Sequence, residues 1–242
     1  MKLTKILNLL YRKLIVWLVS LARQIPYNKG DAYEKKIFDI LKERGLTPKN
    51  SERAGTGTGT DVVFVHKGKL FNLEVKNGTG ADYGQCMLKW KNGKWVWCKD
   101  NDVTRFYTSI GVMNILDKRN IIPIKFNKPN KQITVDDRTN DRRAFEKKIE
   151  ISSDALIKFY SEKEVFYMQV GKGYGFFHIE KDVAGLGTPK FKAKFMLRFR
   201  AKTIHSEPSW NYGFYAVIRV KEILEKSNLN LEPSQSQQFP PI

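Results

Sequence analysis

A chain of 242 residues with 41% apolar side chains supports one large domain, or a core with an appendage, and is too short for a multi-domain assembly. Its 43 Lys and Arg against 25 Asp and Glu leave a formal charge of +18, which calls for a polyanionic partner: nucleic acid or an anionic membrane surface. Aromatic content of 12% excludes a disordered basic tail, two cysteines exclude a disulfide framework or a Cys-based zinc site, and three isolated histidines exclude a His-rich metal site.

The first segment, residues 1–26, carries an apolar run from Leu14 to Ala22 that is too short to span a bilayer, so no stable membrane insertion is expected. Leu3, Leu7, Leu10, Leu14 and Leu21 recur at helical spacing, with Arg12 and Lys13 inside the segment. Three readings stay open: an amphipathic helix docked on the domain or a partner, a membrane-surface helix, and a cleaved signal. A cytoplasmic protein is the expectation. Proline at position 26 ends the segment.

Asp31 to Arg44 reads as a helix with Ile37, Ile40 and Leu41 as its apolar stripe and Gly45 as its stop. After a loop ending in the alternating Gly-Thr run 55–60 come two strand-like runs, 61–65 and 70–76, around the turn residues Lys67-Gly68. The Gly-Thr run lacks a following Gly-Lys-Ser/Thr, so a nucleotide-binding loop is excluded. Residues 78–84 read as a loop, 85–90 as a short amphipathic piece, and Lys91 to Lys94 as a turn into a strand at 95–97. A single helix is expected at 103–118, a strand at 121–126 and a polar linker at 127–150. A helix at 153–159 and strands at 165–170, 175–179, 190–202 and 214–220 follow, and residues 227–242 have the composition of a disordered tail.

Folding the two runs about Lys67-Gly68 opposes His66 to Lys69, Phe64 to Phe71, Val62 to Leu73 and Asp61 to Glu74. Opposed side chains of such a pair lie about 5 Å apart, and two carboxylates at that distance need a shared proton or a cation. Alternation puts Lys76 on the face of Glu74 and turns Val75 into the core. Two carboxylates and an ammonium in one place suit a hard divalent cation such as Mg²⁺, with Mn²⁺ as its substitute, and the chemistry of phosphodiester cleavage. His66 falls at the hairpin tip, away from the acids, and Cys86 and Cys98 read as small buried or half-buried residues.

Asp61, twelve residues, then Glu74-Val75-Lys76 in an apolar hairpin resembles the core of the PD-(D/E)XK, or restriction-endonuclease-like, nuclease superfamily. Thr60 stands where the literal motif has proline, and the resemblance covers about residues 28–126. It implies an α/β fold with a mixed central sheet flanked by helices and metal-dependent cleavage of DNA. On that pattern Asp61 and Glu74 ligate the metal, Lys76 positions or activates the water, and Glu34 and Gln85 support the site. The expected organisation is an N-terminal helix (1–26), a nuclease core (27–130), a β-rich basic extension (131–226) and a tail (227–242).

From Lys190 to Lys202 the chain alternates: Lys190, Lys192, Lys194, Arg198, Arg200 and Lys202 on one face, Phe191, Ala193, Phe195, Leu197, Phe199 and Ala201 on the other. Charge protection of an edge strand would explain some of this, and a surface contacting the DNA backbone explains all six cations. Tyr167, Tyr174, Trp210 and Tyr212 read as core aromatics. The function expected is a Mg²⁺-dependent, restriction-like DNA endonuclease acting alone or as a homodimer. A branched-DNA (Holliday-junction) resolvase of the same fold, a non-catalytic nucleic-acid-binding module and a membrane-associated basic protein are the alternatives.

Overall fold

The computed structural model describes residues 29–49, 60–205 and 207–232. The anticipated N-terminal helix, most of the Gly-Thr run and the last ten residues lie outside them. Helix α1, Lys29–Glu43, buries Tyr33, Ile37, Phe38 and Leu41 on one side. It stops where Gly45 takes a φ of +68°, letting the Gly45 amide donate to Lys42 O (3.0 Å) and the Leu46 amide to Leu41 O (2.8 Å). The Val65 amide then donates to Leu46 O and ties the helix exit to the first strand.

Strands β1 (Val62–His66) and β2 (Lys69–Lys76) form the expected hairpin in the expected register, Val62 against Leu73 through His66 against Lys69. Lys67 and Gly68 both have positive φ, the twist a two-residue hairpin turn demands. His66 sits at the tip, as expected, but is buried. Asn92 and Gly93 repeat the device between β3 (Asp82–Lys91) and β4 (Lys94–Trp97). β3 begins earlier than the glycines at 80 and 84 suggest, because Gly84, at φ +77°, is absorbed as a bulge.

Further differences follow. The helix expected at 103–118 is two, α2 (Asp102–Ser109) and α3 (Val112–Lys118), parted at the left-handed Gly111. Residues 121–126 form no strand; a 3₁₀ turn at Ile124–Phe126 stands there, its Ile124 and Lys125 amides bonded to the Asp141 carboxylate. The expected linker 127–150 contains α4 (Val135–Phe145), started by a Thr134–Asp137 capping box, and β5 (Lys147–Ile151). Helix α5 (Ser153–Glu162) and strands β6 (Val165–Val170), β7 (Gly175–His178), β8 (Ala193–Thr203) and β9 (Tyr212–Ile223) complete the described elements.

The result is a mixed α/β fold with two sheets and, among the described residues, five α-helices. The first sheet runs β1-β2-β6-β7, with β2 and β6 parallel and its other pairs antiparallel. The second runs β4-β3-β9-β8-β5 and is antiparallel throughout. Residues on both sides of position 130 contribute strands to both sheets, so the anticipated boundary there separates neither sheet.

Alternation in β2 and β6 splits the interior into two cores. Phe71, Leu73, Val75 and Tyr167 face α1, whereas Met168 and Val170 face the larger core shared with the second sheet and α2–α5. A correction concerns the tail, since residues 227–232 pack against the first sheet instead of being free. Leu231 is fully buried, its amide bonded to Gln169 Oε1, and Gln169 Nε2 donates to Asn230 Oδ1 at 2.8 Å. No helix among the described residues is long and apolar enough to cross a membrane.

Candidate functional site

Glu74 and Lys76 leave β2 on the face turned away from α1, toward the larger core. Asp61 stands one residue before β1, just beyond the ladder. Instead of facing Glu74 as a paired residue, its Oδ2 accepts the Val75 amide at 2.9 Å, which turns the carboxylate across the end of β2. The Lys76 ammonium contacts Glu74 Oε1 and lies 3.7 Å from Asp61 Oδ2. Two carboxylates therefore converge on one cation, the juxtaposition the hairpin register implied. Side-chain exposures of 20%, 11% and 12% for Asp61, Glu74 and Lys76 place the trio in a recess still open to solvent.

Two tyrosines line that recess. Tyr160, near the end of α5, donates from its hydroxyl to Glu74 Oε1 at 3.1 Å. The Tyr83 ring lies under the ammonium, 5.4 Å from centroid to Lys76 Nζ, and its hydroxyl reaches Met168 Sδ. Neither was foreseen. Tyr160 fell one residue past the helix read at 153–159, and Tyr83 fell in a stretch read as loop.

Burial raises the Asp61 carboxyl to about 7, and the charges of Glu74 and Glu34 push the same way against the pull of Lys76 and the Val75 amide. Burial by itself would lower the Lys76 ammonium, but Glu74 and Asp61 more than offset it and hold its pKa above the usual lysine value. Burial, with Glu74 next, raises the Tyr160 hydroxyl, keeping it a neutral donor.

Glu34, half-buried on α1, is close enough for its charge to act on Asp61. Gln85 is elsewhere. It stands exposed on β3 opposite Val217, on the outer side of the second sheet, and forms no hydrogen bond with the trio.

The alternation expected for β8 holds at every position: Phe191, Ala193, Phe195, Leu197, Phe199 and Ala201 are all buried. β8 lies between β9 and β5, so edge protection does not explain its charges. Nor are all six cations unpaired. Lys192 pairs with Glu225 at 3.4 Å, Lys194 with Glu222 at 2.8 Å, and Arg200 approaches Asp82 at 3.9 Å. Lys190 precedes the strand in an isolated bridge to His178. Arg198 and Lys202 have no ion pair among the described residues.

Among the described residues no cluster of three or more His, Cys, Asp or Glu side chains is arranged to hold a metal ion. The donor set that does converge, two carboxylates already sharing one cation, fits an ion that takes one or two protein carboxylates and fills its remaining positions with water and phosphate oxygen. Mg²⁺ binds in that way. The chain matches no protein-family model, no curated protein and no solved structure.

Proposed function

We propose that the protein is a Mg²⁺-dependent deoxyribonuclease, an endonuclease of the restriction-like kind. The observation that carries this reading is the convergence of Asp61 and Glu74 on Lys76 Nζ. Asp61 and Glu74 would hold the ion, which when bound supplies charge neutralisation at the scissile phosphate and a water of lowered pKa. Displaced from the acids, the Lys76 ammonium would turn to the phosphate oxygens or orient the attacking water. Tyr160 would fix one Glu74 oxygen by its hydrogen bond, and the Glu34 charge would add to the attraction for a cation. The mixed first sheet, with α1 on one face and the acidic hairpin at its end, supports a restriction-endonuclease-like core. The net charge of +18 supports DNA as the substrate.

A branched-DNA resolvase would use the same groups. A second class of reading, a non-catalytic nucleic-acid-binding module, is favoured by one observation: Lys76 already lies against both acids, as in a purely structural ion cluster. Supercoiled plasmid incubated with the protein and Mg²⁺ separates the two. The nuclease reading expects nicked or linear product that disappears with EDTA and in Asp61→Ala and Glu74→Ala. Cleavage retained in both variants, or none from the wild type on duplex and branched substrates alike, sinks it.

A further inference from the structure

The second sheet has one face in the larger core and the other uncovered by any described helix. Cross-strand register places the outer face in rows: Lys89, Met87 and Gln85 on β3, Tyr215, Val217 and Arg219 on β9, and Lys202, Arg200 and Arg198 on β8, with Lys148 on β5 opposite Arg198. Asp82 pairs with Arg219 and approaches Arg200, and the charge of Glu146 also acts on Arg200, whereas Arg198 and Lys202 have no ion pair among the described residues. Arg200, paired with Tyr215, reaches diagonally over β9 to Asp82, paired with Arg219, and the buried Val217 lies beneath that crossing.

Tyr215 does not stand up from this surface. Its Cε2 and hydroxyl lie 3.1 Å from where a β-carbon on Gly213 would be, and Met87 Cε lies 2.7 Å from the same point. The phenol is therefore laid along β9 over the glycine, two residues away, in space that any other side chain at 213 would fill. Arg200 and Lys202 lie alongside on β8. A recumbent ring amid cations is the arrangement that receives an unpaired base: every base has a face to stack, whereas a paired base inside a duplex does not offer it. Same-face residues of β8 recur at about 6.6 Å, close to the phosphate spacing of an extended strand.

We propose that the outer face of the five-stranded sheet binds single-stranded DNA, with Tyr215 as the stacking platform and Arg198, Arg200 and Lys202 along its phosphates. The proposal rests on the reading of DNA as the partner and adds that an unpaired stretch is what this face recognises. It also assigns Gln85 and Met87 to that surface and not to the acidic recess.

Fluorescence anisotropy of the full chain in EDTA tests it, with a labelled oligothymidine of about 20 nucleotides and its duplex with oligoadenosine as probes. Single strand is expected to bind more tightly than duplex. Tyr215→Ala and Tyr215→Leu should each weaken single-strand binding about tenfold while barely moving the duplex, and Tyr215→Phe should bind as the wild type. Arg198→Glu and Lys202→Glu should weaken both and reduce the salt dependence. Duplex binding equal to single-strand binding, no loss in both Tyr215→Ala and Tyr215→Leu, or preference for phosphatidylserine vesicles over both oligonucleotides overturns the proposal. Because divalent metal is absent, the result is separate from cleavage. A protein that cuts plasmid but shows no single-strand preference loses this proposal alone, and one that binds single strands without cutting loses only the nuclease reading.

Discussion

The Tyr160 hydroxyl donates to the same Glu74 oxygen that the Lys76 ammonium contacts, from a helix 86 residues further along the chain. Glu74 is thereby held from two sides, by a neutral donor out of α5 and by a cation of its own strand. Tyr160→Phe keeps the ring and removes the donor. The hydrogen bond is buried and charge-assisted, so its loss should lower unfolding free energy by about 1–3 kcal/mol, read from urea midpoints at constant m. A midpoint equal to the wild type would mean the hydroxyl does not hold the carboxylate.

Lys76→Met leaves two carboxylates facing each other with no cation between them. Stripping one partner from a buried ion cluster costs about 3–5 kcal/mol, so the variant should melt far below the wild type in EDTA. Added Mg²⁺ or Mn²⁺ should recover much of that loss, since the metal takes the place of the ammonium. A melting temperature indifferent to divalent ions would show that the acids do not form a cation site without the lysine.

Asp61 gives a pH dependence of definite sign. Its carboxyl rises from 3.8 to about 7 on folding, so the folded chain holds a proton that the unfolded chain has released across that interval. Its contribution is fully present below the unfolded value and is lost as pH climbs through about 7. Metal-free protein should therefore lose stability from mildly acidic to neutral pH, and Asp61→Asn should flatten that slope. A wild-type profile parallel to that of Asp61→Asn contradicts the raised carboxyl.

Leu231 tests whether the segment after β9 belongs to the fold. It is fully buried beside the Gln169 amide that captures its backbone. Leu231→Ala should cost about 2–4 kcal/mol in urea unfolding, in the range of a core truncation. A cost near zero would place residues 227–232 among the freely mobile ones.

The parts of this fold that were legible in sequence are those where side-chain period and burial coincide. β8 alternates residue by residue, and Lys67-Gly68 sets the β1–β2 register, from which the meeting of residues 61, 74 and 76 follows. Helix α4 was illegible for a physical reason: the positions it buries at helical spacing are Asp137, Asp141 and Phe145, two of them acids satisfied by backbone amides, Lys128 and the Tyr212 hydroxyl. A search for apolar periodicity passes over such a helix. Tyr83 and Tyr160 were hidden because only the tertiary fold brings them to β2. Polar composition suggested a loose tail, yet Asn230 is spent on a specific bond to Gln169. The charges of residues 190–202 were read as one ridge, but three of those cations meet carboxylates that the chain supplies from β9, the segment after it and β3.

Calorimetric titration of Mn²⁺ into the metal-free full chain, beside Asp61→Ala and Glu74→Ala, bears most directly on the acidic recess. The account predicts a single saturable site in the wild type that is lost or weakened at least about tenfold in each variant. Binding of the same strength in all three proteins, or no binding in the wild type, would contradict it.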